Sequence, residues 1–423
     1  MFRVMALASL VALAGCHRQA DAPGDSPTGL AVTPGDGRVT VSWDEQPGLT
    51  YWIFFQPGGT VTAAAPGVPL IFGARSPHII SGLGNGTRFA FVMNATNNDS
   101  RGGPSSPVVT AVPRLAGADW TAGVPLGGSA PQNLNGVAFG TVAVSGVGTA
   151  RLVAVGNAGT IFAGDYNYTR VSPPGVTEWT QASVPAGFAS NLSAAIYTGI
   201  QFLALGADGT VLTSADSNTW ASANSIPGGA GMNGIALGVS SGALVYVAVG
   251  AAGKIFTSAT LDTWTPAASP TQNELFSVSY IIATGTFVAT GASGTLLTST
   301  DAITWTFPNS IPSTSNALRG AAFGAGSAGA RYVVVGDAGT ILTSIDGANW
   351  TPPITPPPPS PSLRSIAFGS RFVAVGQGGA VAFSDDGATW QLSSAGLTDL
   401  NAAIFAPAMY VAVGALGANA VSK

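Results

Sequence analysis

Residues 331–350 read RYVVVGDAGTILTSIDGANW. Tyr332, Val333, Val334 and Val335 form a short apolar run of β-favouring residues. The turn Gly336-Asp337-Ala338-Gly339 ends that run, and a second apolar run follows at Ile341 and Leu342. Ser344, Asp346 and Gly347 then make another turn before Trp350. Such punctuation predicts three short strands joined by tight reversals. The same grammar recurs along the chain. G-x-x-G phrases begin at Gly156, Gly206, Gly250, Gly291, Gly336, Gly376 and Gly414, at intervals of 50, 44, 41, 45, 40 and 38 residues. A period near forty residues marks a repeat architecture whose unit is one supersecondary element.

Each phrase is preceded by another apolar run, as at 136–139 (GVAF), 234–237 (GIAL), 320–323 (GAAF) and 365–368 (SIAF). That makes four strands per unit, the content of a propeller blade. The tryptophans after residue 114 stand at 120, 179, 220, 264, 305, 350 and 390, giving seven units in an offset register. The domain opens on Trp120 with no turn phrase before it and ends beyond Gly414 with no Trp after it. Ser422 aligns with Ser344. The strand around Trp120 is therefore expected to supply the missing outer strand of the last unit, closing the ring and removing open sheet edges. The glycines are expected to provide positive φ in the turns. A phosphate cradle would need a following helix, and a strand follows every copy.

The turn before each Trp has its own phrase: Ser214-x-Asp216 before Trp220, Ser299-x-Asp301 before Trp305, Ser344-x-Asp346 before Trp350, and Ser384-x-Asp386 before Trp390. Ser258 precedes Trp264 in the same frame but has Thr260 in place of the Asp. These phrases resemble the Asp-box of sialidase-like (BNR-type) propellers. Combined with the G-x-x-G grammar, the repeat domain also resembles the photosystem II assembly-factor propellers, which act by binding proteins. The resemblance implies that the box aspartates are structural, accepting hydrogen bonds from their own turns, on the face opposite the usual active site.

Charged residues make up only 8% of the 423 residues, with a net charge of −4 and 15 Lys and Arg in all. No basic stripe is available for nucleic acid. The first 16 residues carry one charge, Arg3, then an apolar run too short to span a bilayer. The run ends in Leu13-Ala14-Gly15-Cys16, which resembles a bacterial lipoprotein lipobox and makes Cys16, the chain's single cysteine, the expected lipidation site. His17 rather than Asp after it implies the outer membrane, by resemblance to known sorting rules. Residues 17–26 read as a flexible tether.

In residues 27–114, Val39, Val41 and Trp43 alternate with period two, and two further strands are expected at Tyr51–Phe55 and Thr87–Ala95. Turn clusters separate these runs, as in a β-sandwich. The order of the motifs, with Trp43 as core tryptophan, resembles a fibronectin type III domain; Phe89 stands where that family has a corner Tyr, and another sandwich topology is the alternative. The chain is thus expected to be all-β: a fibronectin type III-like β-sandwich (27–114) followed by a seven-bladed β-propeller (115–423).

Chemistry is sparse in the propeller. It has no His, so a metal site lacks its usual ligands, and no cofactor is expected. The sialidase resemblance implies an Arg triad, a Tyr assisted by Glu and an Asp acid/base, yet the domain has six Arg and no Arg-Ile-Pro phrase. Acids outside the boxes are few, and only Glu274 and Asp399 are expected in the connections between blades, so the paired carboxylates of glycoside hydrolysis are hard to find. A binding protein is the reading; a degenerate sialidase-like glycosidase and a purely structural envelope spacer are the alternatives. The candidate site is the channel mouth. One residue before each inner run should face it: Asn135, Ser193, Asn233, Phe276, Arg319, Arg364 and Asn401, with Glu274 beside them. These form a polar, mildly positive ring suited to a protein loop, a carboxylate or a sugar, with the stretch 352–361 (PPITPPPPSP) as a stiff rim. A monomer with a protein or glycan partner is expected.

Overall fold

A computed structural model of the chain describes residues 21–97, 101–144, 147–166, 178–353 and 361–423. The expected lipobox, Cys16, the start of the tether and most of the 352–361 stretch lie outside them. The chain divides into two compact units, with Val39–Val112 in one and Pro113–Lys423 in the other.

The first unit holds two antiparallel sheets. One contains Ala31–Gly35, Arg38–Ser42 and His78–Ser81; the other runs in the order Leu70–Ala74, Leu49–Pro57, Phe89–Asn97, Val109–Ala111. Val39, Val41 and Ile80 from the first meet Tyr51, Ile53, Phe91 and Met93 from the second in one core. Trp43 is buried there, its ring 5.4 Å from that of Tyr51. The strand Phe89–Asn97 is buried along nearly its whole length because its alternate residues Ala90 and Val92 pack under Val61 and Phe54 on the opposite face. That explains why its sequence lacks a polar/apolar alternation.

The second unit is a β-propeller. Its described residues form seven antiparallel sheets, each a meander running from an innermost strand outward. The innermost strands are Leu134–Val144, Leu192–Tyr197, Met232–Ser240, Leu275–Ile281, Leu318–Gly326, Leu363–Phe368 and Leu400–Ala406. Each packs beside the next, and the last packs beside the first, so the sheets form a closed ring. The fourth and fifth sheets have three strands; their outer edges are touched only by the bridges Thr298↔Thr306 and Thr343↔Thr351. The core lies between sheets. Trp350, for example, packs with Val334 and Leu342 of its own sheet and with Val288 and Leu296 of the preceding one. Trp305 and Trp390 repeat this arrangement one sheet away on either side.

The glycines divide the work differently from expectation. Positive φ belongs to the second glycine of each phrase, as at Gly159, Gly253, Gly339 and Gly417. The first is extended: Gly336 has φ −165°. Its constraint is space. A Cβ on Gly336 would lie 2.2 Å from the carbonyl oxygen of Ala317, and one on Gly376 would lie 1.9 Å from that of Ser362. The first glycine thus admits the start of the innermost strand against the turn.

Ring closure joins the first and last strands of the propeller. Thr121–Ala122 pairs antiparallel with Asn419–Ser422, Ala420 opposite Ala122 and Val421 opposite Thr121. The turn that the sequence reading found missing before Trp120 is present, but split. In the continuous copies at Ser344 and Ser384 the Ser Oγ accepts from the N–H three residues on, Gly347 at 2.9 Å and Gly387 at 2.8 Å, and the Trp Nε1 donates to that same residue's carbonyl, 3.0 Å in Trp350 and 3.2 Å in Trp390. At the junction Ser422 Oγ accepts from Gly117 N–H at 2.7 Å, and Trp120 Nε1 donates to Gly117 O at 2.9 Å. The serine comes from the last strand of the propeller, the glycine and tryptophan from its first residues.

Candidate functional site

Each sequence-predicted mouth residue is the extra residue of a β-bulge. In the first sheet Gly136 pairs with Val155 and Leu134 with Gly156, leaving Asn135 without a ladder partner. The same skip falls at Ser193, Asn233, Phe276, Arg319, Arg364 and Asn401. A bulge re-aims a side chain that the regular pleat would direct between sheets. Seven bulges at one end of seven innermost strands bring these seven residues around a single cavity of about 210 Å³. Its deeper wall consists of small residues such as Gly136, Ala195, Ser277, Gly320 and Ala403.

Much of the polar ring is engaged in holding the sheets together. Asn135 donates to Leu192 O, Asn233 to Leu275 O and Ser193 to Met232 O, each at 2.9 Å and each onto the next sheet. Asn401 donates to Leu134 O at 2.8 Å across the closing junction. The amides therefore stitch the ring where bulges interrupt the ladders. Asn233 also donates to Glu274 Oε1 at 2.9 Å, so Glu274 stands beside the ring but not among the residues lining the cavity.

The arginines do not make the mouth positive. Arg319 forms a two-pronged pair with Asp337, 2.5 Å from Nε to Oδ1 and 2.9 Å from Nη2 to Oδ2. Arg364 donates to Asp399 at 2.8 Å and to Asn401 Oδ1 at 2.6 Å. Each guanidinium is thus met by a carboxylate, Arg319 by Asp337 and Arg364 by Asp399, and the expected mild positive charge is neutralised. The Arg319 side-chain bonds hold Asp337 below the usual carboxylate range. The Gly378 N–H, then the Arg364 charge, do the same for Asp399. Arg319 also lies over the Phe276 ring, 4.7 Å from its centroid.

Asp337 and Asn157 were missed by sequence reasoning. Asp337 is bound to the mouth residue Arg319, and Asn157 accepts from Asn135 at 2.9 Å. Both immediately follow the first glycine of a G-x-x-G phrase, which was read as scaffold throughout. A polar residue at that spot, where most copies have Ala, was the available signal.

At the opposite end the Ser-x-Asp turns are locked. Asp346 Oδ1 accepts from Ser344 Oγ, Ala348 N–H and Asn349 N–H at 2.8–2.9 Å. Asp216, Asp301 and Asp386 repeat the pattern with Ser214, Ser299 and Ser384, and Trp220, Trp305 and Trp390 each donate to the carbonyl three residues back. The N–H groups of Thr304 and Ile303 pull Asp301 down to about 2. Where Thr260 replaces the acid, the turn keeps the Ser258 bond to Leu261 N–H and a longer one from Asp262 N–H to Thr260 Oγ1 at 3.4 Å, and Trp264 Nε1 is buried without a partner.

The sequence matches no protein-family model and no curated protein sequence. Solved structures do match. The complex titled "YCF48 bound to D1 peptide" is similar with a TM-score of 0.53 at 17% identity, over 72% of this chain and 94% of that one. YCF48 from Cyanidioschyzon merolae is similar with a TM-score of 0.51 at 18% identity, over 72% of this chain and 98% of that one. At these identities the likeness is one of fold, and that fold is a β-propeller.

Proposed function

We propose that this chain is an exported binding protein whose propeller mouth recognises a polypeptide partner. The observation that carries the reading is the seven-fold set of bulges, which turns Phe276, Arg319, Arg364 and their neighbours onto one cavity. Regular ladders would close the ring more simply, so bulges repeated at one end serve to present side chains. A propeller of similar fold was solved with D1 peptide, which makes a polypeptide the first partner class to test. The Phe276–Arg319 stack offers an aromatic edge and a guanidinium, suited to a peptide's apolar and carboxylate groups.

The carboxylates favour binding over catalysis. A glycosidase needs one carboxyl kept protonated as general acid. Asp337 and Asp399 are both held ionised by their bonds, and Glu274 is engaged by Asn233. We read the seven sheets as seven blades, the Ser-x-Asp turns as Asp-boxes and the first unit as a fibronectin type III-like spacer. We further take the chain to be a monomeric lipoprotein anchored through Cys16, facing the periplasm or surface of an outer membrane.

Affinity capture from envelope extracts, comparing the wild type with Phe276→Ala/Arg364→Ala, tests the mouth. Loss of a discrete captured polypeptide supports the proposal. An identical set of captured proteins means that the mouth is a solvated rim on a structural spacer.

A further inference from the structure

The face opposite the mouth has a division of chemistry that the mouth reading does not use. In the second, third and fourth sheets, the hairpins joining the first two strands (198–201, 239–244 and 282–285) contain no Asp, Glu, Lys or Arg. They expose Ile200 (78%), Leu244 (57%) and Ile282 (86%). Their bonds tie them to their neighbours. Tyr280 donates to Val239 O at 3.3 Å, Ser240 to Asp301 O at 3.0 Å, and Tyr332 to Thr284 Oγ1 at 2.6 Å. These bonds tie the hairpins of the third and fourth sheets each to the sheet that follows, and Ile200 tops the adjoining second sheet. In the outer turns of these three sheets stand Asp216, Asp262 and Asp301.

No cation accompanies these acids. Between residues 178 and 330 the only Lys and Arg are Lys254 and Arg319. Lys254 follows a G-x-x-G turn at the mouth end, where it donates to Gly228 O and Ala230 O, and Arg319 is a mouth residue. The far face of these sheets thus carries aliphatic tips bordered by carboxylates. Exposed apolar groups gathered in this way mark an interaction surface. Complementary charge selects its partner.

We propose that this arc docks a basic amphipathic polypeptide segment. Its aliphatic side chains seat among Ile200, Leu244 and Ile282, and its Lys or Arg residues meet Asp216, Asp262 and Asp301. The same carboxylates repel an anionic bilayer or a nucleic acid. This surface is distinct from the mouth, so either can fail without the other.

The test uses the full chain and a fluorescein-labelled synthetic peptide of leucine-lysine heptads, read by anisotropy. The variants are Ile200→Ser/Ile282→Ser, which alters only exposed side chains, Asp262→Asn, and Phe276→Ala at the mouth. Saturable binding is expected, weakened about tenfold or more by the double serine variant, a few-fold by Asp262→Asn, and by added salt. Phe276→Ala should leave it unchanged. Absence of saturable binding overturns the proposal, as does binding indifferent to the serine substitutions. Retention on phospholipid vesicles that depends on Ile200 and Ile282, with no peptide binding, would make the face a lipid contact and also overturn it.

Discussion

Ser422→Ala should destabilise the propeller as though it broke an ordinary turn in mid-chain. Ser422 is 1% exposed. Its hydroxyl accepts from the buried Gly117 N–H and donates to Asp119 O. Replacing it with Ala removes both bonds and strands a buried donor, at a cost of about 1–3 kcal/mol. For a domain of this size each kcal/mol lowers Tm by about 2–4 °C, so a fall between about 2 and 12 °C is expected. Ser344→Ala is the internal standard, because Ser344 makes the equivalent bond to Gly347 within one continuous segment. Thermal melts followed by tryptophan fluorescence give both values side by side. Hydrogen exchange should also rise in Met409–Gly414, which pairs with the closing strand. If Ser344→Ala lowers Tm and Ser422→Ala leaves it unmoved, the seventh sheet's turn is not assembled from the first and last residues of the propeller.

Three further outcomes follow from the same geometry. Gly376→Ala places a Cβ 1.9 Å from Ser362 O and should cost more than about 4 kcal/mol, whereas Gly378→Ala meets nothing within 4 Å and should cost about 1 kcal/mol or less; Ala158, Ala252 and Ala338 already occupy that position with φ of 52–55°. Urea midpoints of the two variants separate these outcomes. Asp301 has a folded pKa of about 2 against an ordinary 3.8, so its stabilisation is present above 3.8 and is lost as pH falls through about 2; Asp301→Asn should flatten the fall in stability across that window. Arg364→Ala leaves Asp399 its Gly378 N–H but removes a half-exposed ion pair, so a loss of about 1 kcal/mol or less is expected by chemical denaturation.

The repeat was legible because each unit needs the same few residues for local reasons. A Ser and an Asp satisfy a turn's N–H groups, a Trp fills the gap between sheets, and a glycine admits a carbonyl. The mouth positions were legible from the same register, since they fall one residue before each inner run. The bulges were not, because ladder pairing depends on a partner strand some fifteen residues away and leaves no mark on composition. The charge of the mouth was misread for a related reason. Arg319 and Arg364 follow the innermost Leu residues, but the acids that neutralise them come from a turn and an inter-sheet connection. Gly117 escaped notice because its serine lies 305 residues away.

The claim that the mouth is a partner site is tested most directly by crosslinking from the site itself. A photoreactive phenylalanine analogue at position 276, in the protein produced in its own cells, should give one discrete polypeptide adduct on irradiation. The adduct should disappear when Arg364→Ala is added, and the same analogue at exposed Gln391 on an outermost strand should not give it. No adduct from position 276, or the same adducts from both positions, would contradict the account.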